Sequence, residues 1–151
     1  MVPPVEYGVL GDVCAVLGKT VIGILGPSSR PRGGLNVPWL VRGDQVLASV
    51  ELAPDRRSRA RGLLGRDGLE GALLLEPARS VHTIGMRFPI DVAWLNREYE
   101  VIDIRRMVPG RISRPRFRAR AVLEAEAGCF ARWGLVVGDH LDMPGRHPDE
   151  T

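Results

Sequence analysis

Organised alternation of apolar and polar positions begins at Trp39 and runs to about Met143. Trp39 to Ala48 reads as strand, turn and strand, with Arg42-Gly43-Asp44 at the turn, where glycine supplies the φ that a tight hairpin needs. Pro54 ends the second strand, Asp55 is placed to cap a helix, and Ala60, Leu63 and Leu64 share a helical face that Gly65 terminates. Leu73 to Leu75 predicts a buried strand. Ile90 to Leu95 and Tyr99 to Met107 predict a hairpin turning at Asn96-Arg97-Glu98, and Val101, Ile102 and Ile104 are the β-branched residues such a ribbon favours. From Arg120 to Ala127 the period is two: Ala121, Leu123, Ala125 and Ala127 fall on one face, Val122, Glu124 and Glu126 on the other. Gly128 ends that strand, Cys129 to Trp133 predicts one helical turn, and Leu135 to Leu141 predicts a turn and a last strand.

Six or more short strands with one or two short helices make a mostly β (α+β) fold. Its core is expected to be compact and barrel-like or sandwich-like, because so many strand edges must be closed or covered. The domain is placed at residues 39–143. Before it, Met1 to Pro38 mixes Gly, Pro and small residues, and Gly26 to Gly34 has the composition of a flexible linker. That stretch is read as a flexible extension or as the product of a start codon placed too far upstream. Residues 144–151 are read as a frayed polar tail.

Composition narrows the picture. A chain of 151 residues suits one hydrophobic core, and 44% hydrophobic with 26% charged residues describes an ordinary globular protein. Aromatics are only 5%, so aliphatic side chains must fill the core. Lys19 is the single lysine, which makes nearly every cation a guanidinium. Cys14 and Cys129 lie far apart and lack ligand spacing, so neither a disulfide framework nor a zinc site is expected. The apolar stretch Val9 to Leu25 contains Asp12 and Lys19, which makes it a poor signal peptide and a poor membrane span. A soluble cytoplasmic protein without a membrane anchor or cofactor is therefore expected.

Four ordered motifs carry a family resemblance. They are Arg59-Ala60-Arg61-Gly62-Leu63-Leu64-Gly65-Arg66, Gly71-Ala72-Leu73-Leu74, His82-Thr83-Ile84-Gly85-Met86-Arg87-Phe88-Pro89-Ile90-Asp91, and Val122-Leu123-Glu124-Ala125-Glu126-Ala127-Gly128. Together they resemble domain of unknown function 192 over nearly all of Ala48 to Leu141. The resemblance implies a small, mostly β fold of bacteria and archaea without an agreed activity. The central motif departs from the Trp-Met-x-Asn-Thr-x-x-Pro-Leu-Asp pattern of many members: Pro89 and Asp91 are kept, whereas His82 and Gly85 replace the Trp and Asn. Any ligand contact made by those two residues elsewhere would change its chemistry here.

Two constellations could carry function. Arg66, His82, Thr83, Asp91 and Glu124 form the candidate ligand-binding set, expected to converge on one polar rim. A histidine beside a carboxylate can titrate near neutral pH and act as a base. On a purely structural reading Asp91 caps a turn, Glu124 pairs with Arg61 or Arg66, and His82 fills an aromatic slot. No nucleophile completes a triad, since Ser80 is a neighbour of His82 in sequence only. A metal site at His82, Asp91 and Glu124 lacks the paired-histidine spacing that would support it, so no metal is assigned.

The second constellation is a run of arginines, Arg105, Arg106, Arg111, Arg114, Arg116, Arg118 and Arg120, with no acidic residue between Asp103 and Glu124. If extended, Arg114, Arg116, Arg118 and Arg120 project to one side and could track the phosphates of RNA or another polyanion. Alternatively they form a solvated edge whose charge deters strand addition. The linker around Arg30 and Arg32 lacks the Gly-Lys-Ser/Thr of a phosphate loop. The functional expectation is a binding or accessory module presenting a polar rim to a small polar ligand or a protein partner. The alternatives are a hydrolase using His82 with Asp91 or Glu124, and polyanion binding through Arg114 to Arg120.

Overall fold

The structure, a computed structural model, describes residues 38–144, so the readings of residues 1–37 and 145–151 as extension and tail lie outside the described residues. Eight elements follow in order: β1 (Trp39–Arg42), β2 (Gln45–Leu52), α1 (Arg56–Arg61), β3 (Ala72–Leu75), β4 (Ile90–Leu95), β5 (Val101–Met107), β6 (Ala121–Glu126) and α2 (Cys129–Trp133). The six strands form one sheet in the order β1-β2-β3-β6-β4-β5.

Local chemistry explains the first half. Gly43, with φ 56°, turns β1 into β2 as an antiparallel hairpin. Pro54 follows the end of β2, and Asp55 caps α1 by accepting hydrogen bonds from the Ser58 amide at 2.8 Å and the Ser58 hydroxyl at 2.9 Å. The helix ends at Gly62, earlier than the Gly65 expected from sequence, because Gly62 adopts φ 50° and ψ −127°. Leu63 and Leu64 therefore leave the helical register. Leu63 drops into the core, and Leu64 stays exposed.

The chain then returns as β3, parallel to β2, and the sheet is mixed. Only β2 and β3 run parallel, which a helical crossover such as α1 permits. All remaining pairings are antiparallel, with β6 between β3 and β4. The mostly β expectation holds, in its sandwich-like rather than its barrel-like form: the sheet is open and both of its faces are covered. On one face Leu40, Leu74, Leu95 and Leu123 pack beneath α2, which contributes Phe130 and Trp133. On the other, Leu73, Val92, Trp94 and Val122 pack against Leu63, Val81, Met86 and Phe88.

Leu135 to Leu141 does not form the last strand expected. The carboxylate of Asp139 accepts from the Val136 amide at 3.0 Å and from Arg42 at 2.8 Å, and Gly138 has φ 97°, so the segment folds locally. Beyond it the backbone works as a strap: the Leu141 amide donates to Tyr99, and Asp142 exchanges two hydrogen bonds of 2.8 Å with Val41. This occupies backbone groups of β1 that an edge strand would leave open. Cys129, expected to be unpaired, is a disulfide-bonded residue rather than a free thiol.

The approach of β2 and β3 depends on Gly71, whose φ is +76° and whose missing side chain would collide with the backbone carbonyl of Ser49. Gly71→Ala is expected to destabilise the protein by about 3 kcal/mol, as left-handed strain adds to a backbone clash. A fall in the urea midpoint at unchanged m-value would show it; an unchanged midpoint would contradict this packing.

Candidate functional site

The alternation of β6 decides which candidate residues can meet. Glu124 lies opposite Leu73 on β3 and Val92 on β4, and so faces the layer containing Leu63, Val81 and Met86. Asp91 lies opposite Ala125, on the other face of the sheet. Successive strand residues point to opposite sides, so Asp91 and Glu124 are separated by the sheet itself. The expected convergence of His82, Asp91 and Glu124 on one rim does not occur.

Asp91 is instead an anchor for α2. Its Oδ2 accepts from the amides of Gly128 at 2.7 Å and Phe130 at 3.2 Å, while Arg106 Nε approaches Oδ1 at 3.1 Å. Thr83 is likewise engaged: its buried hydroxyl donates to the Val108 carbonyl at 2.7 Å and accepts from the Arg111 amide at 2.9 Å. It clasps the loop before β4 to the loop after β5. Arg66 holds Glu51 through two hydrogen bonds of 3.1 and 2.8 Å, not Glu124.

Glu124 is different. Its side chain is 3% exposed, and Oε2 has no hydrogen-bond partner. Buried polar groups are ordinarily satisfied, and a lone buried carboxylate is costly. Burial pushes the carboxyl up from 4.5 to about 7, against an opposing pull from the Arg66 guanidinium. Glu124 lies at a cleft of about 270 Å³ whose apolar wall includes Leu63, Leu75, Val81 and Met86, and whose polar lining includes Arg59, Arg61, Ser80 and His82. Gly62 stands against the carboxylate, where a Cβ would sit 3.7 Å from Oε2. His82 is exposed rather than filling a buried aromatic slot. Among the described residues no hydrogen bond joins His82 to Ser80 or to Glu124. The cleft continues into an outer groove of about 420 Å³ that shares Leu64, Ser80, Val81, His82 and Ile84 and adds Ile112.

Thus two of the five expected ligand-binding residues, His82 and Glu124, share a cavity. Gly62, Leu64 and Ile84 complete it without having been singled out as ligand contacts. The hint was a glutamate at an otherwise core-facing level of β6, with glycine in the α1 motif. No group of His, Cys, Asp and Glu among the described residues could hold a metal ion.

The arginine segment also departs from expectation. Residues 111–120 form an irregular loop with a turn at 117–118, not a strand, so Arg114, Arg116, Arg118 and Arg120 are not a simple row. Arg116 folds back, its guanidinium 4.5 Å from the Trp94 ring centroid and 2.7 Å from Asp103. Arg120 approaches Glu76 at 3.6 Å. The buried indole and nearby carboxylate give Arg116 a stronger local interaction than solvent does. Arg114 and Arg118 are exposed and form no ion pair among the described residues.

The model of the DUF192 family, described as an uncharacterized ACR, matches residues 39–143. The chain belongs to the DUF192 family. Among its relatives, the UPF0127 protein PF1050 of Pyrococcus furiosus is 29% identical over 108 residues, covering 68% of this chain and 93% of that one. A crystal structure of a protein of unknown function from Novosphingobium aromaticivorans is similar at a TM-score of 0.63 and 26% identity, over 82% of this chain and 97% of that one. A Sinorhizobium meliloti structure at 24% identity shares the fold, with a TM-score of 0.60 over 73% of this chain and 93% of its own. No helix among the described residues is long and apolar enough to cross a membrane.

Two outcomes follow from this DUF192 geometry. Glu124 releases its proton near pH 4.5 when unfolded and near pH 7 when folded, so the folded state holds more protons between those values. Stability should fall as pH rises through that window, by about 3 kcal/mol at roughly 1.36 kcal/mol per pH unit. Glu124→Gln should remove that component, which denaturation at pH 5 and pH 8 would measure; identical slopes in both proteins would contradict the assignment. Asp91→Ala should cost about 2–4 kcal/mol, because two amides of the α2 turn lose their acceptor. An Asp91→Ala protein as stable as wild type would refute the anchoring role.

Proposed function

We propose that this domain is a binding or accessory module whose ligand enters the Glu124 cleft. The observation that carries this reading is the unpartnered Oε2 of a nearly buried glutamate beside open volume. A bound hydroxyl or N–H group would supply the missing hydrogen bond in a site shielded from water. Apolar walls favour a short hydrocarbon body, and Arg59 and Arg61 in the lining favour an anionic outer end. The ligand class is therefore a small hydroxy acid or a similarly shaped phosphate ester. His82 and Ser80 offer further hydrogen bonds.

The hydrolase reading gains less support. Ser80, His82 and Glu124 line one cavity, but a nucleophile must be hydrogen-bonded to its base and the base to its orienting acid, and that relay is not formed. Asp91 stands across the sheet. A small-molecule or protein partner is part of the proposal.

Methyl NMR titration with short hydroxy acids, using the corresponding unhydroxylated acids as controls, tests the reading. Hydroxy acids should shift the Leu63, Val81 and Met86 methyl signals with an affinity at least about tenfold above their controls, the worth of one hydrogen bond in a buried site. Glu124→Leu should abolish that preference. Absence of shifts in wild type, or equal binding by Glu124→Leu, would overturn it.

A further inference from the structure

A second surface, on the β5 side of the sheet and meeting the outer groove of the Glu124 cleft at Ile112, carries a different chemistry. Seven arginines occur between Asp103 and Glu124 with no acidic residue among them. The fold brings three carboxylates to them from elsewhere. Asp91 takes Arg106 at 3.1 Å, Asp103 takes Arg116 at 2.7 Å with Arg105 at 3.4 Å, and Glu76 lies 3.6 Å from Arg120. Arg111, Arg114 and Arg118 make no ion pair among the described residues, and the Arg105 side chain is still 65% exposed. The surplus of positive charge is therefore a property of the folded surface and not only of the sequence.

Shape accompanies the charge. A groove of about 360 Å³ is lined by Arg105, Arg111, Arg116, Val108 and Ile112, with Trp94 and Met107 also in its lining; no acidic residue lines it. Arg116, fixed between the Trp94 ring and Asp103, holds one wall in place. The adjoining loop turns at Phe117, which is 84% exposed and stands between Arg116 and Arg118. An aromatic ring that exposed contributes little to the core of this chain, yet it offers a flat apolar face on an arginine-rich loop.

We propose that this surface binds single-stranded nucleic acid, with backbone phosphates along Arg105, Arg111, Arg114 and Arg118 and a base stacked on Phe117. Arginines neutralise phosphates, and exposed aromatic rings stack unpaired bases without demanding a sequence. The preference for a single strand follows from Phe117, because a base inside a duplex has both faces already stacked. An acidic protein segment would use the arginines but would leave Phe117 without a matching planar partner.

Fluorescence anisotropy with a labelled oligouridylate of about twelve nucleotides, at roughly 50 mM salt, is the decisive experiment. Wild type should bind, and more weakly as salt rises. Phe117→Ala should weaken binding about tenfold at nearly unchanged salt dependence, as expected when one base can no longer stack. Joint replacement of Arg111, Arg114 and Arg118 by Ala should flatten the plot of log affinity against log salt by about 2, near 0.7 for each phosphate that is no longer neutralised. Both sets of changes lie on exposed residues, and unchanged circular dichroism would confirm intact folding. Glu124→Leu should bind the oligonucleotide as wild type does, which separates this surface from the cleft. No anisotropy change with wild type at low salt would overturn the proposal. So would wild-type affinity in both variants, or binding confined to phosphatidylserine vesicles, which would assign the surface to membranes.

Discussion

Strand β6 lies between β3 and β4, and the two-residue period of its side chains sorts the molecule into two chemically different halves. Ala121, Leu123 and Ala125 project into the layer closed by α2. Val122 and Glu124 project into the layer closed by Leu63, Val81 and Met86. A shift of register by one residue would exchange the faces, burying Glu124 beneath α2 and moving Leu123 to the cleft. Pairing on both sides of β6 prevents that exchange. The anchoring of α2 and the Glu124 cleft both depend on this register.

The two buried acids show how environment assigns different roles to similar groups. Asp91 accepts two backbone amides and faces Arg106, so its charge is used to hold the start of α2 against the sheet. Glu124 has an oxygen without a partner, and the cation that pulls on its charge, Arg66, is committed to Glu51. A satisfied carboxylate stabilises the fold, whereas an unsatisfied one weakens it and is retained at a cost. That contrast makes Glu124, rather than Asp91, the centre of the functional reading. The arginines repeat the same distinction. Arg116 is fixed by Trp94 and Asp103, while Arg111, Arg114 and Arg118 are left to solvent or to a ligand.

Sequence reasoning reached furthest where a signal was local. The Gly43 hairpin, the Asp55 cap, the β4–β5 ribbon, the alternation of β6 and the short α2 each rest on neighbouring residues, and each is present. The end of α1, which the sequence analysis places at Gly65, comes earlier because the positive φ adopted by Gly62 stops the helix and releases Leu63 into the core. The alternating arginines suggested a strand, but Pro115 and the attraction of Arg116 to Trp94 and Asp103 produced a loop.

The amino-acid sequence by itself determined the family, the mostly β class and the face of β6 on which Glu124 lies, because motif order and side-chain period are written along the chain. It could not decide which faces of different strands coincide. That required the parallel pairing of β2 with β3 and the insertion of β6 beside β4, both set by interactions between distant segments. Only this tertiary arrangement placed Asp91 and Glu124 on opposite sides of one sheet, brought His82 and Gly62 to the Glu124 cleft, and gave Arg106, Arg116 and Arg120 a carboxylate while leaving Arg111, Arg114 and Arg118 to solvent.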